Sequence, residues 1–256
     1  MNEIERYCFD TQGYLVIEDV LTADELRKLK AGLPRNTDGS FRKNNVDLIG
    51  NPISYAEPTF RSLINHPRIV PYLKAIFCNG SDPWDQTILL DHDYGMIFKR
   101  GDKGPPFHNG GTPHVPWLSY TARDGKIFCA LSCVVWALTD VNAGDGGFWC
   151  LPGSHKASFP LPEKIRCYQH VPACAVQPAM KAGSALLFTE ALTHGTRDWR
   201  ADHERIALFY KYSPGYMARM KTRPASVLEK LSDEQRRFVL NPRDLIEVSP
   251  NLSPAE

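Results

Sequence analysis

Two histidines and a glycine carry the chemistry this sequence offers most plainly: His108, in His108-Asn109-Gly110, and His194, which is followed by Arg205. A common way to hold Fe(II) for oxygen activation is two imidazoles and one carboxylate on one face of the metal, with the remaining positions open to cosubstrate and O2. His108-Asn109-Gly110 reads as such a site with one ligand removed, because Gly110 stands where the carboxylate is expected. Spacing alone does not establish a metal centre. Many pairs among eight histidines could meet in a fold, and a lone histidine in a soluble domain is ordinarily structural or exposed.

The elements that must position these residues are short and mostly extended. Runs at 127–138, 147–151, 185–188 and 206–212 are apolar and are separated by Gly, Pro, Asn and Asp, the pattern of strands joined by turns. Several such strands without long helices between them predict a closed sandwich or barrel. Helices are expected mainly at the two ends. Thr22-Ala23-Asp24-Glu25 is a capping box, in which Thr22 accepts from the third helical N–H and Glu25 reaches back to the cap, with Leu21 and Leu26 as the matching hydrophobic staple. Ser232-Asp233-Glu234-Gln235 repeats the signal and opens a helix expected to stop before Pro242. Residues 100–125 carry His108 and are rich in Gly, Pro and aromatics. They are long enough to form a lid or substrate wall, with an irregular surface loop as the equal alternative.

With 256 residues, 43% of them apolar, the chain can build a sizeable core. No linker divides it, so 1–256 is expected to form one domain with a loose tail at 248–256. A formal charge of +1 gives no global attraction to a nucleic-acid polymer or a membrane surface. Met1-Asn2-Glu3-Ile4-Glu5-Arg6 is not a signal peptide, and the longest apolar run, 127–138, is interrupted by Ser132 and falls short of the roughly 18 residues of a membrane span. A soluble, cytoplasmic protein is the expectation. Seven cysteines without a CxxC pair argue against a disulfide framework and a zinc ribbon. They are expected to be reduced thiols. If 127–138 is one strand, Cys129 and Cys133 share a face, and a redox pair is the alternative.

The segments around the histidines add a resemblance. Gly13-Tyr14-Leu15-Val16-Ile17 leading to Leu21-Thr22-Ala23-Asp24-Glu25-Leu26, then Val134-Val135-Trp136-Ala137-Leu138, Gly146-Gly147 and Pro152-Gly153-Ser154-His155-Lys156 are its first part. The most diagnostic stretch is Lys181-Ala182-Gly183-Ser184-Ala185-Leu186-Leu187-Phe188, running into Thr193-His194-Gly195-Thr196 and then Arg205. Together these resemble the phytanoyl-CoA dioxygenase family of Fe(II)/2-oxoglutarate oxygenases over most of the chain. The resemblance implies a mainly β fold with flanking helices, a double-stranded β-helix of jelly-roll, cupin-like type, with the metal near one mouth of the barrel.

It also implies roles. His108 and His194 match the two metal histidines, and Arg205 matches the arginine that grips the distal carboxylate of 2-oxoglutarate with two parallel hydrogen bonds. The alternative for Arg205 is a surface ion pair with Asp202 or Glu204. Trp136 and Thr196 are expected to line the cosubstrate pocket, with plain core as the alternative for Trp136. At Gly110 the sequence departs from the His-x-Asp pattern and is similar to the iron/2-oxoglutarate halogenases of this superfamily, where the missing carboxylate leaves room for chloride. The implied cofactors are Fe(II), 2-oxoglutarate, O2 and chloride. The reaction would replace a hydrogen on an unactivated carbon with chlorine rather than hydroxyl. Two alternatives stay open. Glu190, or less directly Asp91 or Asp93, could act as a surrogate carboxylate and restore a hydroxylase, or the site could be disabled and the protein a non-catalytic ligand binder.

The substrate is expected to be a small molecule, free or tethered to a separate carrier. Size and the His-x-Gly pattern are similar to small standalone halogenases, including those that act on nucleotides. In that case Arg42, Lys43, Lys99, Arg100, Lys103 or Arg219 would meet a phosphate and Phe98, Phe107, Trp117 or Tyr120 would stack on a base, with solvation and core packing as the ordinary alternatives.

Overall fold

Short apolar strands close most of the chain into two facing antiparallel sheets. The computed structural model describes residues 1–34, 42–43, 46–78, 87–217 and 223–241. Its strands are β1 (Tyr14–Ile17), β2 (Arg42–Lys43), β3 (Val46–Gly50), β4 (Ile88–Phe98), β5 (Tyr120–Arg123), β6 (Lys126–Cys129), β7 (Ser132–Ala137), β8 (Gly147–Cys150), β9 (Ala185–Thr189), β10 (His194–Arg197) and β11 (Arg205–Pro214). The larger sheet has the order β1-β9-β7-β11-β4-β3-β2. Facing it, β8 pairs with β10, and single bridges tie His108 to His194 and Cys150 to Val176. β5 and β6 form a separate hairpin. This is the expected double-stranded β-helix.

The central strands are buried on both faces, so they read as continuous apolar runs rather than alternating ones. All six residues of β7 are buried, yet they divide by parity. Cys133, Val135 and Ala137 face the other sheet with Phe148, Phe188 and Phe209. Val134 and Trp136 face the opposite way, toward Phe60, Leu73 and Ile76 of the helical layer. Trp136 therefore does not line the cosubstrate pocket as expected: it is fully buried on the helical side, edge-on to His66 at 5.4 Å and beside Tyr210. β11 obeys the same rule. Tyr210 and Tyr212 donate their hydroxyl protons to the carbonyls of Phe60 (2.7 Å) and Ile64 (2.9 Å), locking sheet to helices.

The helices are α1 (Glu3–Gln12), α2 (Ala23–Gly32), α3 (Thr59–Ser62), α4 (Val70–Phe77), α5 (Glu163–Arg166), α6 (Ala225–Leu228) and α7 (Asp233–Arg237). The capping boxes at Thr22 and Ser232 both form, and Asn2 with Glu5 makes a third at α1. Helices are not confined to the ends, since α3 and α4 lie between β3 and β4. α7 ends at Arg237; Pro242 and the tail 248–256 lie outside the described residues. Among the described residues no helix is long and apolar enough to cross a membrane.

The run 127–138 is two strands. Ala130 and Leu131 break it, their N–H groups donating to the carbonyls of Ser119 and Trp117. Cys129 and Cys133 accordingly fall in different cores, and both are free thiols. Burial pushes Cys129 up to about 12 and Cys133 well above its ordinary value, so they are inert core residues rather than a redox pair.

The turn Pro152-Gly153-Ser154-His155-Lys156 pins α1 to the hairpin. His155 is buried, donates from Nε2 to the Asp10 carbonyl at 3.0 Å and packs edge-on against Tyr120 at 4.6 Å. Asp10 also accepts from Tyr120 (2.6 Å) and pairs with Lys156 (2.7 Å). Gly13 permits the approach, because a Cβ there would lie 2.7 Å from His155 Nδ1. Burial lowers His155 to about 4. The unfolded imidazole takes a proton near its usual 6.5 and the folded one resists it, so this stabilisation is complete above about 6.5 and is lost as pH falls toward 4. Urea denaturation should show roughly 2 kcal/mol less stability at pH 5 than at pH 7.5 from this group alone. His155→Gln should remove about that much of the pH dependence; an unchanged slope would show that His155 is not its source.

Candidate active site

His108 and His194 are brought together by their own backbones. The His108 N–H donates to the His194 carbonyl at 2.9 Å, the His194 N–H donates back to the His108 carbonyl at 3.1 Å, and the ring centroids lie 4.3 Å apart. His108 is anchored by its neighbour Phe107, fully buried between Trp149 and Tyr168. His194 is buried against Phe148 and Phe188. Each Nδ1 faces a carbonyl, Pro106 at 2.9 Å for His108 and Leu192 at 2.7 Å for His194. A carbonyl only accepts, so each Nδ1 carries the proton and each Nε2 keeps a free lone pair. Burial holds His194 down to about 4, hence neutral at ordinary pH. Two imidazoles oriented through Nδ1, with their Nε2 atoms left for a metal, are a donor set suited to Fe(II).

The third position is shaped for glycine in backbone as well as in side chain. Asn109 has φ +63° and Gly110 φ +121°, the second a value that L side chains rarely adopt. A Cβ on Gly110 would lie 2.9 Å from Thr193 Oγ1, which itself donates to the Asn109 carbonyl at 3.3 Å. The next residue leaves no slack either: a Cβ on Gly111 would come within 2.7 Å of the Ala157 carbonyl oxygen. Ser154 ties both histidine segments together, its Oγ accepting from Thr193 N–H (2.8 Å) and its carbonyl from Gly111 N–H (3.0 Å).

Glu190 follows β9 on the face of Leu186 and Phe188, between the sheets, and is buried. Its Oε1 pairs with Lys211 Nζ at 2.9 Å, while its Oε2 lies 3.9 Å from His194 Nε2 and 3.4 Å from Asn109 Nδ2. Burial favours the protonated acid, but Lys211 and then His194 outweigh it and hold the carboxyl below its usual range. Among the described residues no three of His, Cys, Asp and Glu are grouped to hold a metal. Asp93 is taken up elsewhere, by Arg223 at 2.9 Å and the Ile53 N–H at 3.0 Å, and Asp91 contacts the adjacent His92 at 2.6 Å.

Arg205 opens β11 and is 2% exposed, with Nε and Nη1 lacking any hydrogen-bond partner. Gly147 makes room for it, since a Cβ there would lie 2.9 Å from its Nε. Asp202, one alternative partner, pairs with Arg100 instead. Burial lowers Arg205 to about 10. A guanidinium is costly to leave buried and unpaired, and its planar donors match a carboxylate. A buried guanidinium with two unpaired donors can receive an anion. Thr196 shares the face of His194 on β10, backed by Gly104.

Among the described side chains, most of those considered for a nucleotide are occupied otherwise. Phe98 and Phe107 are core, Tyr120 is bonded to Asp10, Lys99 pairs with Asp47 at 3.4 Å and Arg100 with Asp202. Trp117 and Lys103 are exposed. The side chains of Arg42 and Lys43, and Arg219, lie outside the described residues. Lys211, Ser154 and Gly147 were not anticipated as site residues. A signal for Lys211 existed: it is a lone charge inside the apolar run of β11.

Residues 9–207 match the sequence model of the phytanoyl-CoA dioxygenase (PhyH) family. Among solved structures, the chain is similar to HygX from Streptomyces hygroscopicus with nickel, 2-oxoglutarate and hygromycin B bound (23% identity, 87% of this chain and 90% of that one, TM-score 0.72). It is also similar to the non-heme alpha ketoglutarate dependent carbocyclase SnoK from nogalamycin biosynthesis (18%, 84% and 85%, TM-score 0.59). A third is AviO1 from Streptomyces viridochromogenes Tue57 (16%, 81% and 92%, TM-score 0.59). No curated protein matches the sequence significantly.

Ser154→Ala should leave the buried Thr193 N–H without its acceptor and cost about 1–3 kcal/mol in denaturant unfolding. A loss below roughly 0.5 kcal/mol would mean that Ser154 does not hold the two histidine segments together.

Proposed function

The chain belongs to the phytanoyl-CoA dioxygenase family, whose members are Fe(II)/2-oxoglutarate-dependent oxidoreductases, and from that premise we propose that it is a halogenase acting on an unactivated C–H bond of a small molecule. His108 and His194 hold the metal through Nε2, the atoms their Nδ1 hydrogen bonds leave free. Arg205 receives the distal carboxylate of 2-oxoglutarate, and Thr196 lies on the same strand face as His194. Fe(II), 2-oxoglutarate, O2 and chloride bound there would supply the removal of a hydrogen from carbon and its replacement by chlorine. Phe148, Phe188 and Phe209 keep water from that side of the site. The observation that carries the reading is Gly110: its φ of +121° and the crowding at Thr193 Oγ1 support a third position left free of any protein carboxylate and open to chloride.

A hydroxylase using Glu190 is the second reading, favoured by the 3.9 Å between its Oε2 and His194 Nε2. Against it stand the ion pair that already occupies Glu190 and the absence of a three-ligand group among the described residues. A disabled site is opposed by Arg205, whose buried Nε and Nη1 have no hydrogen-bond partner among the described residues, an arrangement that favours a bound anion. A small-molecule substrate accords with the hygromycin B bound to HygX. Within that class we propose a nucleotide, with Trp117 and Lys103 exposed for a base and a phosphate. Calorimetry of the Fe(II)- and 2-oxoglutarate-loaded protein against a nucleotide panel should show binding, and silence across the panel would remove nucleotides from consideration.

Anaerobic titration with Fe(II) and 2-oxoglutarate should produce a visible metal-to-ligand charge-transfer band that shifts on adding chloride. A band indifferent to chloride, with and without substrate, would favour Glu190 and hydroxylation, and no band at all would favour the disabled site. Arg205→Ala should weaken 2-oxoglutarate at least tenfold, about 1.4 kcal/mol or more, while leaving metal binding in place. Gly110→Asp should abolish the chloride response and lower the unfolding midpoint, because aspartate at φ +121° is strained. Chlorination that persists in that variant would sink the role given to Gly110.

A further inference from the structure

We propose that Lys211 is the specificity-determining residue of this site: its ion pair draws Glu190 away from the two histidines and so keeps the third protein-ligand position empty. This rests on the halogenase reading and names the device that would maintain it. On β11, Ala207 and Phe209 face the interior between the sheets, and Lys211 continues that face. Glu190 continues the equivalent face of β9 after Leu186 and Phe188. The two strands flank β7, whose Cys133 pairs with Lys211 on one side and Phe188 on the other, so a lysine and a glutamate meet across one buried strand.

Their side chains are 15% and 4% exposed, and Nζ lies 2.9 Å from Oε1. In a low-dielectric interior that attraction is far stronger than at a surface. The other oxygen, Oε2, is 3.9 Å from His194 Nε2, the atom that would bind the metal. Glu190 thus stands between two cation positions, one filled by the protein's own ammonium and the other beside His194 Nε2, where a metal would sit. A buried carboxylate deprived of Lys211 retains only the second. Lysine suits this work because its ammonium is a compact point charge that engages one oxygen, where a guanidinium would clamp both. The halide position is consequently maintained by two separate features, a glycine at 110 that offers no ligand and a lysine at 211 that withholds one.

The test uses the full chain and Co(II) as the metal probe, followed by calorimetry and by its visible ligand-field absorption, with chloride titrated in. The wild type should bind Co(II) with a spectrum that responds to chloride. Lys211→Met should bind Co(II) at least tenfold more tightly and lose the chloride response, because Glu190 joins the ligand set. Combining Lys211→Met with Glu190→Gln should return both affinity and chloride response to the wild-type values. Unchanged Co(II) affinity in Lys211→Met, or a gain that survives in the double variant, overturns the proposal. Should Lys211→Met fail to fold, Glu190→Gln alone decides the matter: it should retain wild-type Co(II) affinity and chloride response, and loss of metal there overturns the proposal because Glu190 would already be a ligand. Failure of the wild type to bind Co(II) would overturn the underlying metal-site reading itself, an outcome distinct from a wild type that binds and a Lys211→Met variant that behaves identically.

Discussion

The reciprocal pair of backbone hydrogen bonds between His108 and His194 is the constraint on which the rest of the site depends. It joins a segment from an irregular loop to a strand of the smaller sheet, setting the ring separation before any side-chain interaction is counted. The Nδ1 contacts then fix ring orientation, each to a carbonyl two residues earlier in its own chain. Ser154 holds the arrangement from behind, and His155, its neighbour, connects it to α1 and the β5–β6 hairpin. The histidine pair is therefore preorganised by main-chain geometry, which tolerates less drift than a site built from long side chains alone.

Around that pair the interior holds charges that an ordinary core would exclude. Arg205 is buried with unpaired donors, while Glu190 and Lys211 are buried and paired. The contrast is informative. A paired charge is compensated within the protein, whereas an unpaired one implies compensation from outside it. The same interior thus holds one cation with free donors, at Arg205, and one carboxylate with a lysine partner, at Glu190. Phe98 lies against Arg205 and Glu190 continues the face of Leu186 and Phe188, so both charges sit in low-dielectric packing that sharpens these electrostatic differences.

Much of this was legible in the chain. The Thr22 and Ser232 capping boxes, the strands at 147–150, 185–189 and 205–214, and the β-rich architecture follow from local pattern and turn chemistry. One source of what periodicity missed is burial on both faces. In β7 every residue is apolar or small, so the sequence carries no mark of which side Trp136 occupies, and it lies under the helices rather than in the pocket. β4 was missed for the opposite reason, since Asp91, Asp93 and Gly95 interrupt its apolar run. Asp93 meets partners distant in sequence, Arg223 and the Ile53 N–H, while Asp91 contacts the adjacent His92. Glu190, beside the two histidines, is ion-paired to Lys211, a residue whose partner no local pattern identifies.

The backbone at Gly110 also bears on how this site could change over generations. An aspartate codon is one base from a glycine codon, so the ligand set looks a single step from the three-ligand form. The conformation is not: φ of +121° and the fit against Thr193 belong to the loop as a whole, with Asn109 at positive φ before it and Gly111 pressed against the Ala157 carbonyl after it. Recovering a carboxylate here requires coupled changes at neighbouring positions, the situation in which effects of substitutions cease to add. A substitution at 110 alone therefore carries a folding cost that the codon distance does not reveal.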